Sequence, residues 1–228
     1  MAEHHAHKIF NYCERAQDPS FWAEPWNAVT NAAFLIAAGV CLVIALRARR
    51  LDGPVLWLIL VTSAIGVGSF LFHTYAETWA ALADVIPIGI FILSYFVLAM
   101  RCYAGFSWGR SFLLMVGFIV ALVAVSWLMN TFLRGIVGGS VSYGPALLAL
   151  FVTGLWLNLR GHPAGTWMMV VSGIFLISLT ARSVDYMYCD SLPIGSHWLW
   201  HILNGVVLGG LTLALIRHGT DQSRNASI

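Results

Sequence analysis

The chain of 228 residues is 59% hydrophobic and only 10% charged, with a mean hydropathy of +0.80 and a formal net charge of +2. A soluble domain carries about 25% charged residues, so this composition excludes one, and the length suits a single membrane-embedded body. The charge is too small for a nucleic-acid partner, and the basic residues form no patch with interleaved aromatics.

Residues 1–27 form a polar N-terminal segment carrying Glu3, Lys8, Glu14, Arg15, Asp18 and Glu24. It has no apolar core of the kind a signal peptide needs, so the first membrane helix is expected to act as the targeting signal. His4-His5-Ala6-His7 is a short histidine tract of the sort that binds metal, and at a terminus it reads as a solvated tail.

Apolar runs follow at about 28–47, 54–73, 82–100, 111–129, 141–159, 166–186 and 196–216. Runs of roughly 16–20 apolar residues predict membrane-spanning helices. An open strand edge would leave backbone groups unpaired in lipid, so the prediction is an all-α, seven-helix transmembrane bundle. Residues 28–217 are expected to form that domain and 218–228 a short tail. Assigning alternate loops to one side collects Arg47, Arg49, Arg50, Arg101, Arg110, Arg160, Arg217 and Arg224. The positive-inside rule then puts the C-terminus in the cytoplasm and the N-terminus outside or in a lumen.

Within this apolar sequence a few ionisable side chains stand out. Such groups are costly at membrane depth and commonly face a bundle interior or a water-filled cavity, where they have a function. Ser69 and His73 are four residues apart on the second predicted helix, hence on one face and roughly 5–6 Å apart. Asp84 falls in the first turn of the third predicted helix, and a short return brings it back to the same level. His197 and His201, again four apart, open the last helix. A lone histidine in an apolar run is commonly a packed core residue. Two i,i+4 arrangements at one membrane level, three imidazoles in all, match the ligand set of a catalytic zinc site.

The remaining features have plainer readings. Gly66, Gly68, Gly205, Gly209 and Gly210 are small residues that let helices approach closely. Arg182 and Asp185, three apart near the end of the sixth helix, are expected to pair. The tryptophans read as interfacial anchors and packing residues. A retinal-binding pump would want a lysine in the last helix, and the only lysine here is Lys8.

These residues resemble the alkaline ceramidase family, seven-helix intramembrane hydrolases of a superfamily that includes adiponectin-type receptors. Ser69-Phe70-Leu71-Phe72-His73 with Asp84-Val85-Ile86-Pro87 is similar to the family's serine, histidine and aspartate, and His197-Trp198-Leu199-Trp200-His201 to its paired histidines. Tyr12-Cys13-Glu14 with Glu24-Pro25-Trp26-Asn27 resembles its calcium-binding segment. The resemblance implies zinc held by His73, His197 and His201, with Asp84 and Ser69 as catalytic residues beside it. It implies calcium near Asn11, Tyr12, Glu14 and Glu24, although Asn11 stands where the family has an acidic residue and Ala16 where it has an asparagine. It also implies a disulfide between Cys13 and Cys189, while Cys41 and Cys102 fall on or near the cytoplasmic side of the predicted topology and are expected to be reduced thiols.

The activity so implied is zinc-dependent hydrolysis of the N-acyl amide of ceramide or a related lipid, releasing fatty acid and sphingoid base. Two alternatives stand beside it: a hydrolase or acyltransferase for a different lipid, and a receptor- or transporter-like protein in which the histidines hold a structural metal. The expected partners are the bilayer and a lipid substrate. Eleven arginines against one lysine point to a GC-rich bacterial genome and the bacterial inner membrane, with the ER or Golgi membrane as the other location.

Overall fold

The computed structural model describes residues 8–219, and for residues 133–139 the backbone alone. The histidine tract at residues 4–7 and most of the 218–228 tail lie outside the described residues. Eight α-helices follow in order: α1 (Pro25–Thr30), α2 (Ala32–Arg47), α3 (Gly53–Tyr75), α4 (Thr78–Cys102), α5 (Trp108–Val137), α6 (Gly144–Leu159), α7 (Pro163–Val184) and α8 (His197–His218). Helices α1 and α2 together make one span, so the described residues hold seven helical stretches long and apolar enough to cross a membrane. Among the described residues there is no strand. The protein is a multi-pass integral membrane protein of all-α class.

Several helix starts are written locally. Asp52 caps α3 by accepting from the Val55 N–H at 3.1 Å, with Pro54 in the first turn. His162 caps α7 through the Ala164 N–H, and Pro163 opens that helix. The connection from α3 to α4 is tighter than the sequence suggests. Ala76 takes a left-handed conformation (φ 49°) as the C-cap of α3, and Glu77 is already the N-cap of α4. Helix α4 therefore begins at Thr78, and Asp84 sits in its second turn, not its first.

The bundle is organised by α3, α7 and α8, the helices with the largest buried share. Helix α3 packs against α4 and α2, and α8 against α7 and α2. Small residues set the closest approaches. A Cβ on Gly68 would run into the Ala83 carbonyl of α4, and one on Gly205 into the Ala33 backbone and side chain of α2. The first of these contacts holds α3 and α4 together one residue from both Ser69 and Asp84. Helix α5 packs mainly on α4 and the turn after it and presents most of its apolar surface outward.

The expected Arg182–Asp185 pair does not form. Arg182 Nη1 instead donates to Ser140 Oγ at 3.1 Å, and its guanidinium lies over the Tyr143 and Trp200 rings. Helix α7 ends at Val184, so Asp185 leaves the helical face and turns toward the loop before α8.

Candidate active site

His73 occupies the last turn of α3, while His197 and His201 lie in the first two turns of α8. All three side chains are buried, and their candidate ligand atoms lie within 4.8 Å of one another. His73 Nε2, His201 Nε2 and His197 Nδ1 are buried atoms with no hydrogen-bond partner. An unpaired buried nitrogen is costly, and three histidines that each carry one, with ligand atoms grouped this closely, fit a shared cation.

The hydrogen bonds on the far side of two rings support the same conclusion. His73 Nδ1 lies 2.5 Å from Glu24 Oε2, and His201 Nδ1 lies 3.0 Å from Thr30 Oγ1. The Thr30 hydroxyl is also 2.7 Å from the Trp26 carbonyl, which can only accept, so its one proton goes there and Oγ1 accepts from His201 Nδ1–H. Both imidazoles then carry their proton on Nδ1 and keep an unprotonated Nε2 for a metal. A carboxylate or hydroxyl behind a ligating histidine fixes its tautomer and orientation. The donor set of three imidazole nitrogens fits zinc.

Asp185 fixes the start of α8. Its Oδ1 accepts from the backbone N–H of Ser196 at 2.6 Å and of His197 at 3.0 Å, which places a carboxylate at the N-terminus of α8. Its Oδ2 accepts from Cys13 N–H at 3.1 Å, and Cys13 is joined to Cys189 by a disulfide with a Cα–Cα distance of 5.1 Å. The bridge spans 176 residues and ties the N-terminal segment to the loop that delivers His197. The Tyr12 ring stacks on His197 with 3.8 Å between centroids. Neither Cys41 nor Cys102 is in a disulfide, and Cys41 is buried.

Ser69 is buried on the same face of α3 as His73, one turn earlier. Ser69 and Asp84 line a cavity of about 100 Å³ between α3, α4, α6, α7 and α8, walled otherwise by Ile65, Phe91, Phe96, Leu150, Phe175, Leu208 and similar side chains. The combination of apolar walls with a few convergent polar groups is the usual pattern of a small-molecule site. The model of the ceramidase family matches residues 7–227. The chain belongs to the ceramidase family. A comparison with curated proteins returns no match. As a ceramidase-family member the protein is a hydrolase acting on an amide bond, with a lipid substrate.

The N-terminal segment of this ceramidase-family protein meets the histidine cluster. Asn11 is exposed, and the Tyr12 ring is against His197. Glu14 accepts from the backbone N–H groups of Trp26 at 2.7 Å and Asn27 at 2.8 Å. Partial burial raises the Glu14 carboxyl above its ordinary range, against those two bonds. Glu24 bonds Arg15 Nε with Oε1 at 2.5 Å, and its Oε2 faces His73 and Asn27. Burial by itself would raise the Glu24 carboxyl, but the bonds from His73 and Arg15 outweigh it and hold the group below its ordinary range. Sequence reading missed Arg15, Thr30 and Asp185 as parts of the site. Each acts on a residue distant in the chain or through a backbone group, which residue spacing does not report.

Proposed function

We propose that the protein is a zinc-dependent intramembrane amidohydrolase that cleaves the N-acyl amide of ceramide or a closely related lipid, releasing a fatty acid and a sphingoid base. The observation that carries this reading is the cluster of three buried histidines, each with an unpartnered ring nitrogen, near Ser69 and Asp84, which line an apolar cavity. Zinc held by His73, His197 and His201 would supply Lewis acidity, polarising the amide carbonyl and lowering the pKa of a water toward 7.

The chain's own groups divide the remaining work. The cavity takes the acyl chain, whose apolar surface matches its phenylalanine, isoleucine and leucine walls. Asp84 accepts the proton of the attacking water on a carboxylate oxygen and returns one to the amide nitrogen as the C–N bond breaks. Ser69 Oγ–H donates a hydrogen bond to the carbonyl oxygen as negative charge develops there. Three histidines grouped without a fourth His, Cys, Asp or Glu ligand among the described residues favour catalysis over a structural metal. Placing this end of the bundle outside or in a lumen agrees with the disulfide, since bridges persist in oxidising compartments.

The test is to incubate purified protein with a panel of N-acyl and O-acyl lipids, with and without a zinc chelator. Fatty acid released from ceramide, lost on chelation and restored by zinc, is the expected result. Release only from O-acyl lipids would transfer the assignment to a different lipid hydrolase.

A further inference from the structure

Arg15 belongs to a polar segment where an arginine would ordinarily extend into water, yet it is 0% exposed. Its Nε donates to Glu24 Oε1 at 2.5 Å. Nη1 donates to the carbonyls of Asp18 at 3.2 Å and Ser20 at 3.0 Å, and Nη2 to those of His73 at 2.8 Å and Thr74 at 3.3 Å. A guanidinium has five N–H donors, and here each has an oxygen. One carboxylate and four backbone carbonyls make an acceptor-only shell of hard oxygens, which is the chemistry that surrounds calcium. The cation at the centre of this shell is the guanidinium.

The calcium that the family resemblance implies does not fit the same segment. Both Glu24 oxygens are committed, to Arg15 and to His73 with Asn27. Both Glu14 oxygens are held by backbone N–H groups, Asn11 is exposed, and Ala16 offers no side-chain oxygen. A divalent ion beside a permanently protonated guanidinium would also be repelled at short range.

We propose that Arg15 is a built-in cation that takes the structural place of calcium, so the protein needs no calcium, and that Arg15 acts through Glu24 to position His73. It is a positioning residue, and its contacts explain how. Bonds to the carbonyls of His73 and Thr74 fix the C-terminal turn of α3, where cations are favoured. The bond to Glu24 Oε1 aims the other carboxylate oxygen at His73 Nδ1. The positioning half rests on His73 being a zinc ligand, and the calcium half does not.

The experiment uses the purified, zinc-loaded full chain in detergent, passed over chelating resin and then dialysed against radiolabelled calcium up to about 1 mM, the range of weak extracellular sites. Wild type should take up no stoichiometric calcium, and its melting temperature should not move. Stoichiometric uptake with a rise in melting temperature overturns the proposal without any variant being needed. Arg15→Ala leaves the oxygen shell empty of its cation. It should bind zinc about 10- to 100-fold more weakly, the usual effect of losing outer-shell support, and calcium should raise its melting temperature and restore part of that affinity. Arg15→Lys, with the charge but three donors, should fall between. If Arg15→Ala does not fold, Arg15→Lys carries the same zinc measurement. Wild-type zinc affinity in the folded variant, with no response to calcium, overturns the positioning role. Failure of wild type to hold zinc at all would sink the zinc reading, while its calcium uptake would still decide the calcium half.

Discussion

Glu24 Oε2 lies 2.5 Å from His73 Nδ1, although 49 residues separate the two in the chain. The carboxylate sits just before the first membrane span and the imidazole at the end of the second, so this contact couples the N-terminal segment to the proposed metal centre. Glu24→Gln keeps a hydrogen-bond acceptor but removes the charge. It should weaken zinc binding about 10- to 100-fold, measured by competition with a chromophoric chelator, and unchanged affinity would separate Glu24 from the metal. Glu24→Ala should also destabilise the fold by about 3–5 kcal/mol, because it leaves the buried Arg15 charge uncompensated.

The three histidines are expected to act as one set. Purified protein should contain about one zinc, in keeping with a three-histidine catalytic site. His73→Ala, His197→Ala and His201→Ala should each remove it, as read by elemental analysis. Full zinc in all three variants would end the metal-site reading.

Asp84 and Ser69 should affect turnover and not metal content. Asp84→Asn should lower kcat about 10²- to 10⁴-fold, the usual weight of a general acid–base group. Ser69→Ala should lower it about 10²- to 10³-fold, as for a single oxyanion donor. Both should largely retain zinc. Near-normal rates in both would move the chemistry elsewhere in the cavity.

The Cys13–Cys189 bridge closes a 176-residue separation. Chain entropy alone assigns a loop of that size about 5 kcal/mol of stabilisation, although measured gains are often smaller. Non-reducing mass spectrometry should find the linked peptides. Reduction should lower the melting temperature and loosen the start of α8, since Cys13 N–H and His197 N–H bond the same Asp185 carboxylate.

Gly68→Ala tests how α3 and α4 position the catalytic pair. The added Cβ would collide with the Ala83 carbonyl, a backbone atom that only a shift of α4 can move. Overpacking of this kind costs about 1–3 kcal/mol. Because Asp84 follows Ala83, the variant should lose activity beyond what its melting temperature explains. Gly39→Ala, where a Cβ meets nothing within 4 Å, is the control and should leave both unchanged.

The sequence by itself determined the seven spans, because apolar run length and the need to satisfy every backbone group in lipid leave no other architecture. It also singled out Ser69, His73, Asp84, His197 and His201, because ionisable groups at membrane depth are too costly to be incidental and helical spacing puts them on common faces. Only the tertiary structure decided what stands behind those residues. Glu24 was legible as an acidic residue in a polar segment, but its bonds to His73 and Arg15 depend on chain segments meeting at the end of α3. Arg182 and Asp185 were legible as neighbours of opposite charge, yet α7 ends between them, sending one to Ser140 and the aromatic rings and the other to the backbone of α8. Spacing along a helix reports which residues share a face. It does not report which carbonyls, N–H groups or rings another segment brings to that face, and those set where a buried charge finds its partner.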